Sequence, residues 1–195
     1  MAADLVTLIE TVAITQFLSP GAKSLGEAAL ERGQRLATAA VQLLKNVGRE
    51  PQPVEPKLLV PLVQAAALES DESLSDRWAA LLANAADSAQ RVAVQPGFVE
   101  VLRQLTPADA LLLHSLYYPP KGSGLPASQR MLKQFDGLGL SYADINLSVD
   151  NLIRLHLCVG RTERGGMFYD PDRPSQIGAT VFGKQFMQAC SAPAA

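Results

Sequence analysis

The stretch at residues 53–116, PVEPKLLVPLVQAAALESDESLSDRWAALLANAADSAQRVAVQPGFVEVLRQLTPADALLLHSL, constrains the fold more than any other part of the chain. It reads as consecutive helices with strong start signals. Pro56 opens a helix expected to end at Leu68, because proline at the first helical position lacks only an N–H that the helix does not use. Pro56 and Pro61 are both expected near the first turn, and Leu58, Leu59, Leu62, Val63 and Leu68 are its buried candidates. Ser70 or Asp71 restarts the chain as a helix to about Ala86. There Leu74, Trp78, Leu81, Leu82 and Ala85 follow the i, i+4, i+7, i+8 pattern of a buried face. Trp78 and its leucines each contribute about 2–3 kcal/mol on burial, which places this helix at the core. Pro96 starts a shorter helix to Leu105. Thr106-Pro107-Ala108-Asp109 is the strongest cap in the chain: Thr106 accepts from the N3 amide, Pro107 sits at N1, and Asp109 adds negative charge to the first turn. That helix runs to about Tyr117 and stops at Pro119-Pro120.

On the N-terminal side, residues 3–18 read as a short helix with Leu5, Leu8, Ile9 and Val12 on one face. Ser19-Pro20-Gly21 breaks it. Residues 22–47 form a longer helix, about 39 Å at 1.5 Å per residue. Its stripe is Leu25, Ala29, Leu36, Ala40, Leu43 and Val47, and it is expected to pack on the rest of the domain or on a second subunit. The Pro-rich GREPQPVE at 48–55 is a linker. On the C-terminal side, residues 126–136 are a further helical candidate. Ser141 and Asp144 form a second cap before a helix through SVDNLIRLHL. Residues 157–161 read as a strand, 163–166 as a turn, and Met167-Phe168-Tyr169 as the returning strand. Thr180 caps a last helix with Phe182, Phe186 and Cys190 on its apolar side, and the tail SAPAA is expected to be disordered.

The expected fold is mainly α: a helical N-terminal half followed by a winged-helix-like α+β module with a small β-hairpin. The expected divisions are an arm at 1–48, a helical core at 53–104 and the winged-helix-like module at 105–191. A chain of 195 residues buries about 70–75% of its unfolded surface, enough to fold without staples. The net charge of −2 and pI near 5.7 argue against bulk polyanion binding. Cys158 and Cys190 are far apart with no CxxC spacing and read as small buried hydrophobes. Asp4 and Glu10 stand where a signal peptide needs basic residues. No apolar run approaches 18 residues, so stable membrane insertion is not expected, and a cytoplasmic protein of prokaryotic type is.

Chemistry-bearing patterns are sparse. There is no GxSxG, Walker loop, HExxH or GxGxxG. His114 and His156 are the two histidines, and Ser115 beside His114 is no dyad, because adjacent helix residues point apart. Glu69, Asp71, Glu72 and Asp76 read as a solvated face at a helix N-terminus rather than a metal site. We therefore expect no catalytic residue, metal or cofactor. The sharpest binding candidates are Arg154 on the helix that would enter a nucleic-acid groove, Arg161 and Arg164 on the wing, and Arg173 beyond it; Asn151 could read a base edge. Against them, residues 105–195 hold eight Lys/Arg and seven Asp/Glu, a poor balance for counterion-release binding. A protein partner is favoured over nucleic acid, and the Ala/Leu-rich arm suggests a homo-oligomer.

Four segments, PKLLVPLVQAAALESDESLSDRWAALLANA at 56–85, VQPGFVEVLRQLTPADALLL at 94–113, NLIRLHL at 151–157 and TVFGKQFMQAC at 180–190, resemble the abortive-infection alpha family of bacterial proteins. The most specific pieces are the Pro-Lys-leucine opening, the acidic run before Trp78, Leu-Ala-Asn at 82–84 and Leu-Thr-Pro at 105–107. The resemblance implies a role in phage resistance or mobile-element biology and brings no catalytic residue with it. Together these readings describe a non-enzymatic phage-defence interaction protein with a host or phage protein as partner. A winged-helix nucleic-acid-binding regulator is the alternative.

Overall fold

The computed structural model describes Thr7 and residues 23–89, 92–119, 130–131, 135, 137–161 and 176–194. The chain forms two compact units, residues 1–104 with 188–195, and residues 105–187. The helix expected at 3–18 lies outside the described residues except for Thr7.

The first unit contains α1 (Lys23–Asn46), α2 (Pro56–Leu68), α3 (Glu72–Ala85) and α4 (Pro96–Leu102). α1 packs chiefly on α3 and α2. It buries Ala29, Leu36, Ala37, Ala40 and Leu44, a mostly small-residue face that lets neighbouring helices approach closely. Leu44 therefore takes the buried place expected of Leu43. The long helix is a core element of its own chain. α3 lies at the centre, with Leu74, Trp78, Leu81 and Leu82 buried as their spacing implies. Its start is held by Asp71, whose carboxylate accepts from the Leu74 amide at 3.2 Å. In α2, Pro56 occupies the first turn, but Pro61 lies inside the helix. The missing Pro61 N–H forfeits one bond to the Lys57 carbonyl. Burial of Leu59, Leu62, Val63, Ala66 and Ala67 offsets that loss, while Leu68 is exposed.

The tail departs from expectation. Asn84, near the end of α3, is buried, and its Nδ2 lies 2.9 Å from the Ala189 carbonyl oxygen and 2.8 Å from that of Ser191. The Arg49 guanidinium donates to the Ala194 carbonyl at 2.6 Å and pairs with the buried Asp87 carboxylate, also at 2.6 Å. Pro193 is buried. The residues SAPA are thus ordered, because side chains from elsewhere in the unit satisfy carbonyls that a short polar tail would otherwise leave to water.

The second unit contains α5 (Pro107–Tyr117), β1 (Arg130–Met131), α6 (Tyr142–Arg154), β2 (Cys158–Arg161), β3 (Gln176–Ala179) and the start of α7 (Val181–Ala189). Both expected caps form complete capping boxes. Thr106 Oγ1 accepts from the Asp109 amide while Asp109 Oδ2 accepts from the Thr106 amide, and Ser141 and Asp144 repeat the arrangement. α6 packs on α5. It ends in a Schellman turn: the Leu157 amide donates to the Leu152 carbonyl and the His156 amide to that of Ile153, with His156 at φ 58°. Leu152 and Leu157, both fully buried, provide the apolar contact that accompanies such a stop.

The three strands form an antiparallel sheet in the order β1-β3-β2. Cys158 pairs with Ala179 and Arg161 with Gln176. The returning strand is therefore 176–179; residues 167–169, where it was expected, lie outside the described residues. Arg130 and Met131, expected in a helix, are instead a strand paired with Ile177 and Gln176. An unpaired edge of β3 recruits them, a long-range effect that outweighs local propensity. Thr180 caps α7 through its hydroxyl, which accepts from the Gly183 amide at 2.9 Å. Tyr117 locks this corner: its hydroxyl donates to the Leu157 carbonyl at 2.7 Å and accepts from the Thr180 amide at 3.0 Å. Burial pushes the Tyr117 phenol above its ordinary pKa. Gly183 is required here, because a Cβ would overlap Tyr117 Oη and the Leu157 carbonyl.

Candidate functional site

α6 offers the best-defined surface for recognition. Ile145, Val149 and Leu152 recur at i, i+4 and i+7 and are buried. The same geometry turns Leu147, Asp150 and Arg154 outward. Leu147 is 69% exposed, a large apolar side chain on a helix whose other face already fills the core; Tyr142, 65% exposed, is the first residue of α6 and lies on the side of Ile145 and Val149. Asp144 and Asp150 flank Leu147, so the outward face is apolar and acidic with Arg154 at its end.

Arg154 is held in place. Its Nη2 and Nε donate to Asn151 Oδ1 at 2.6 and 3.2 Å. Asn151 Nδ2 in turn donates to Asp109 Oδ2 at 2.8 Å, the buried carboxylate that closes the α5 cap. Asn151, a candidate base reader by sequence, thus bridges two helices. Arg161 ends β2 opposite Gln176. Its side chain, and the whole of Arg164 and Arg173, lie outside the described residues.

The remaining candidates have structural surroundings. His114 is exposed and stacks obliquely on Tyr118, with ring centroids 5.2 Å apart. His156 contributes its backbone to the Schellman stop, and its carbonyl accepts from Thr180 Oγ1 at 2.7 Å. In the acidic run, Glu69 Oε1 accepts from the amides of Ser70 and Asp71 at 2.8 and 3.0 Å. Asp71 is held below the usual carboxylate range by the Ser73 hydroxyl and then by the Leu74 amide. These are helix-start contacts, and no group of three metal-capable side chains occurs among the described residues. Cys158 and Cys190 are free thiols, each pushed up to about 12 by burial. No helix among the described residues is long and apolar enough to cross a membrane.

Sequence reasoning overlooked Leu147, although the buried spacing of Ile145, Val149 and Leu152 already puts it on the opposite face. It also passed over Asn84 and Tyr117, whose partners lie 40 or more residues away and leave no local signal.

The segments that carry the family resemblance do physical work in the fold. Leu-Ala-Asn supplies Asn84, Leu-Thr-Pro supplies the α5 cap, NLIRLHL supplies the Asn151 bridge and the Schellman stop, and TVFGKQF supplies Thr180 and Gly183. No curated protein and no solved structure matches the chain. The family model for abortive infection alpha matches residues 29–190. By that match, across most of its length, the chain belongs to the abortive infection alpha family.

Proposed function

We propose that this protein serves abortive-infection phage defence as a non-enzymatic interaction protein in the bacterial cytoplasm, engaging a host or phage protein through the outward face of α6. Membership of the family supports the defence role. The exposed Leu147, flanked by Asp144 and Asp150, carries the choice of a protein partner. A helix that docks into a protein groove presents apolar anchors on one face, whereas a helix that tracks phosphates presents Lys and Arg. The sheet order β1-β3-β2 around α6 supports a winged-helix-type module that would present this helix. A homo-oligomer built on the N-terminal arm has less support, since α1 already buries its apolar stripe against α2 and α3.

The competing reading is a nucleic-acid regulator using Arg154, Arg161 and Arg164. Fluorescence anisotropy with duplex DNA, single-stranded DNA and RNA across a salt series separates the two. The protein reading expects no salt-dependent binding. Binding that weakens steeply with salt and disappears in Arg154→Ala and in Arg161→Ala/Arg164→Ala would replace it with the nucleic-acid reading.

A further inference from the structure

The first unit holds a half-open cleft of about 530 Å³ between α1 and α3, beside the α2–α3 turn. Its size is ordinary for a small-molecule site. One wall carries Arg32 and Arg35; the other carries Glu69, Glu72 and Asp76. Leu36 and Trp78 add apolar lining between them. Arg32 is anchored, donating to the Ala67 carbonyl at 3.0 Å near the end of α2, so its cation is positioned before any ligand arrives. Arg35 contacts Glu31 on its own helix, and among the described residues no ion pair joins the two walls. Among the described residues, the one buried side-chain polar atom without a partner, Trp78 Nε1, belongs to a residue that lines this cleft.

We propose that this cleft binds arginine-type ligands: the free basic amino acid or a peptide that ends in one. The opposed walls require a ligand with charges at both ends. A carboxylate faces Arg32 and Arg35, a guanidinium or ammonium faces Glu72 and Asp76, and the methylene stem lies over Leu36 and Trp78. Charge selects this class further. Two arginines and three carboxylates line the cleft, and Arg35 already contacts Glu31, so the lining favours a ligand of net positive charge that also carries a carboxylate for Arg32. A plain anion meets three carboxylates, and a plain cation offers Arg32 no carboxylate. This site lies in a different unit from the α6 surface, so its fate is independent of the defence reading.

The chain has a single tryptophan, and it lines this cleft, so intrinsic fluorescence is a local reporter of ligand binding there. The intact protein is titrated with L-arginine and the dipeptide Ala-Arg, with agmatine (no carboxylate) and Ala-Ala (no side-chain cation) as controls. Saturation-transfer NMR on the same ligands detects binding that leaves the fluorescence unchanged. Asp76→Asn and Arg35→Gln alter exposed side chains outside the core, and circular dichroism checks that both variants fold. Saturable binding of L-arginine and Ala-Arg is expected, about tenfold weaker in either variant and at least about tenfold weaker for both controls, the worth of one charge-assisted contact. The proposal is overturned by absence of saturable binding in both readouts, by agmatine or Ala-Ala binding as well as L-arginine, or by variants that bind like the parent.

Discussion

Replacing Asn84 with alanine should destabilise the first unit by about 2–4 kcal/mol. The Asn84 amide has two N–H groups and three close carbonyl acceptors: Ala80 at 3.0 Å on its own helix, Ala189 at 2.9 Å and Ser191 at 2.8 Å. Each of the two N–H groups lost costs about 1 kcal/mol net, a carbonyl left buried without a donor costs about 1–3 kcal/mol more, and the better helix propensity of alanine returns about 0.7 kcal/mol. Against a total stability of about 5–15 kcal/mol, that is a large share. Urea denaturation followed by Trp78 fluorescence is the assay, because Trp78 and Asn84 both lie on α3. The midpoint should fall while the slope stays constant, the signature of changed stability without changed exposure. Deleting residues 191–195 removes the Ser191 carbonyl and the Arg49–Ala194 contact and should cost less than the substitution. Combining the two should cost about 1 kcal/mol less than their sum, since both remove the Asn84–Ser191 bond. A loss under about 0.5 kcal/mol for Asn84→Ala, or strict additivity in the double variant, would refute the claim that this amide anchors the tail.

Three further outcomes follow from the second unit and the thiols. Gly183→Ala should lower stability by about 2 kcal/mol, since overpacking against Tyr117 Oη and the Leu157 carbonyl (about 1–3 kcal/mol, plus disturbed hydrogen bonds) outweighs the ~1 kcal/mol helix preference for alanine; a gain in melting temperature contradicts it. His156→Gly should stabilise by about 0.5–1 kcal/mol, because relief of the left-handed backbone at φ 58° exceeds the added unfolded-state entropy of glycine; chemical denaturation that shows a loss instead removes the Schellman argument. Cys158 and Cys190, held protonated by burial that raises both to about 12, should resist iodoacetamide at pH 9, where an exposed thiol is largely ionised. Mass spectrometry should show both alkylated only in denaturant, and rapid labelling of the native protein would show that the thiols are accessible.

The parts of the fold legible in the sequence are those written in local chemistry. α3 was readable from the recurrence of Leu74, Trp78, Leu81 and Leu82, and the starts of α5 and α6 from residues three apart that cap each other. The strands were harder. β3 is Gln-Ile-Gly-Ala, with one β-branched residue and a glycine, and β1 is two residues long; each exists through its partner, and the pairing spans about 45 positions. Pro61 misled by rule, since a helix with enough burial tolerates one missing N–H. The tail misled by composition, since SAPA at 191–194 has no core of its own and is held by Asn84 and Arg49. Of the surface on α6, Arg154 stood out as a charge, while its engagement by Asn151 depends on the capping carboxylate of another helix.

Under the function proposed above, the α6 face makes contact with a protein partner, and Leu147, which the core does not need, is the residue on which that proposal turns. Leu147 is 69% exposed, so Leu147→Asp leaves packing intact and removes the apolar anchor. Phage yield and survival of infected bacteria, measured with the parent, Leu147→Asp and Arg154→Ala at equal expression, test this directly. A reduced burst with early death of infected cells is expected for the parent and for Arg154→Ala, and normal bursts for Leu147→Asp. Normal bursts from the parent across a broad phage panel, or protection that survives Leu147→Asp and fails with Arg154→Ala, would contradict it.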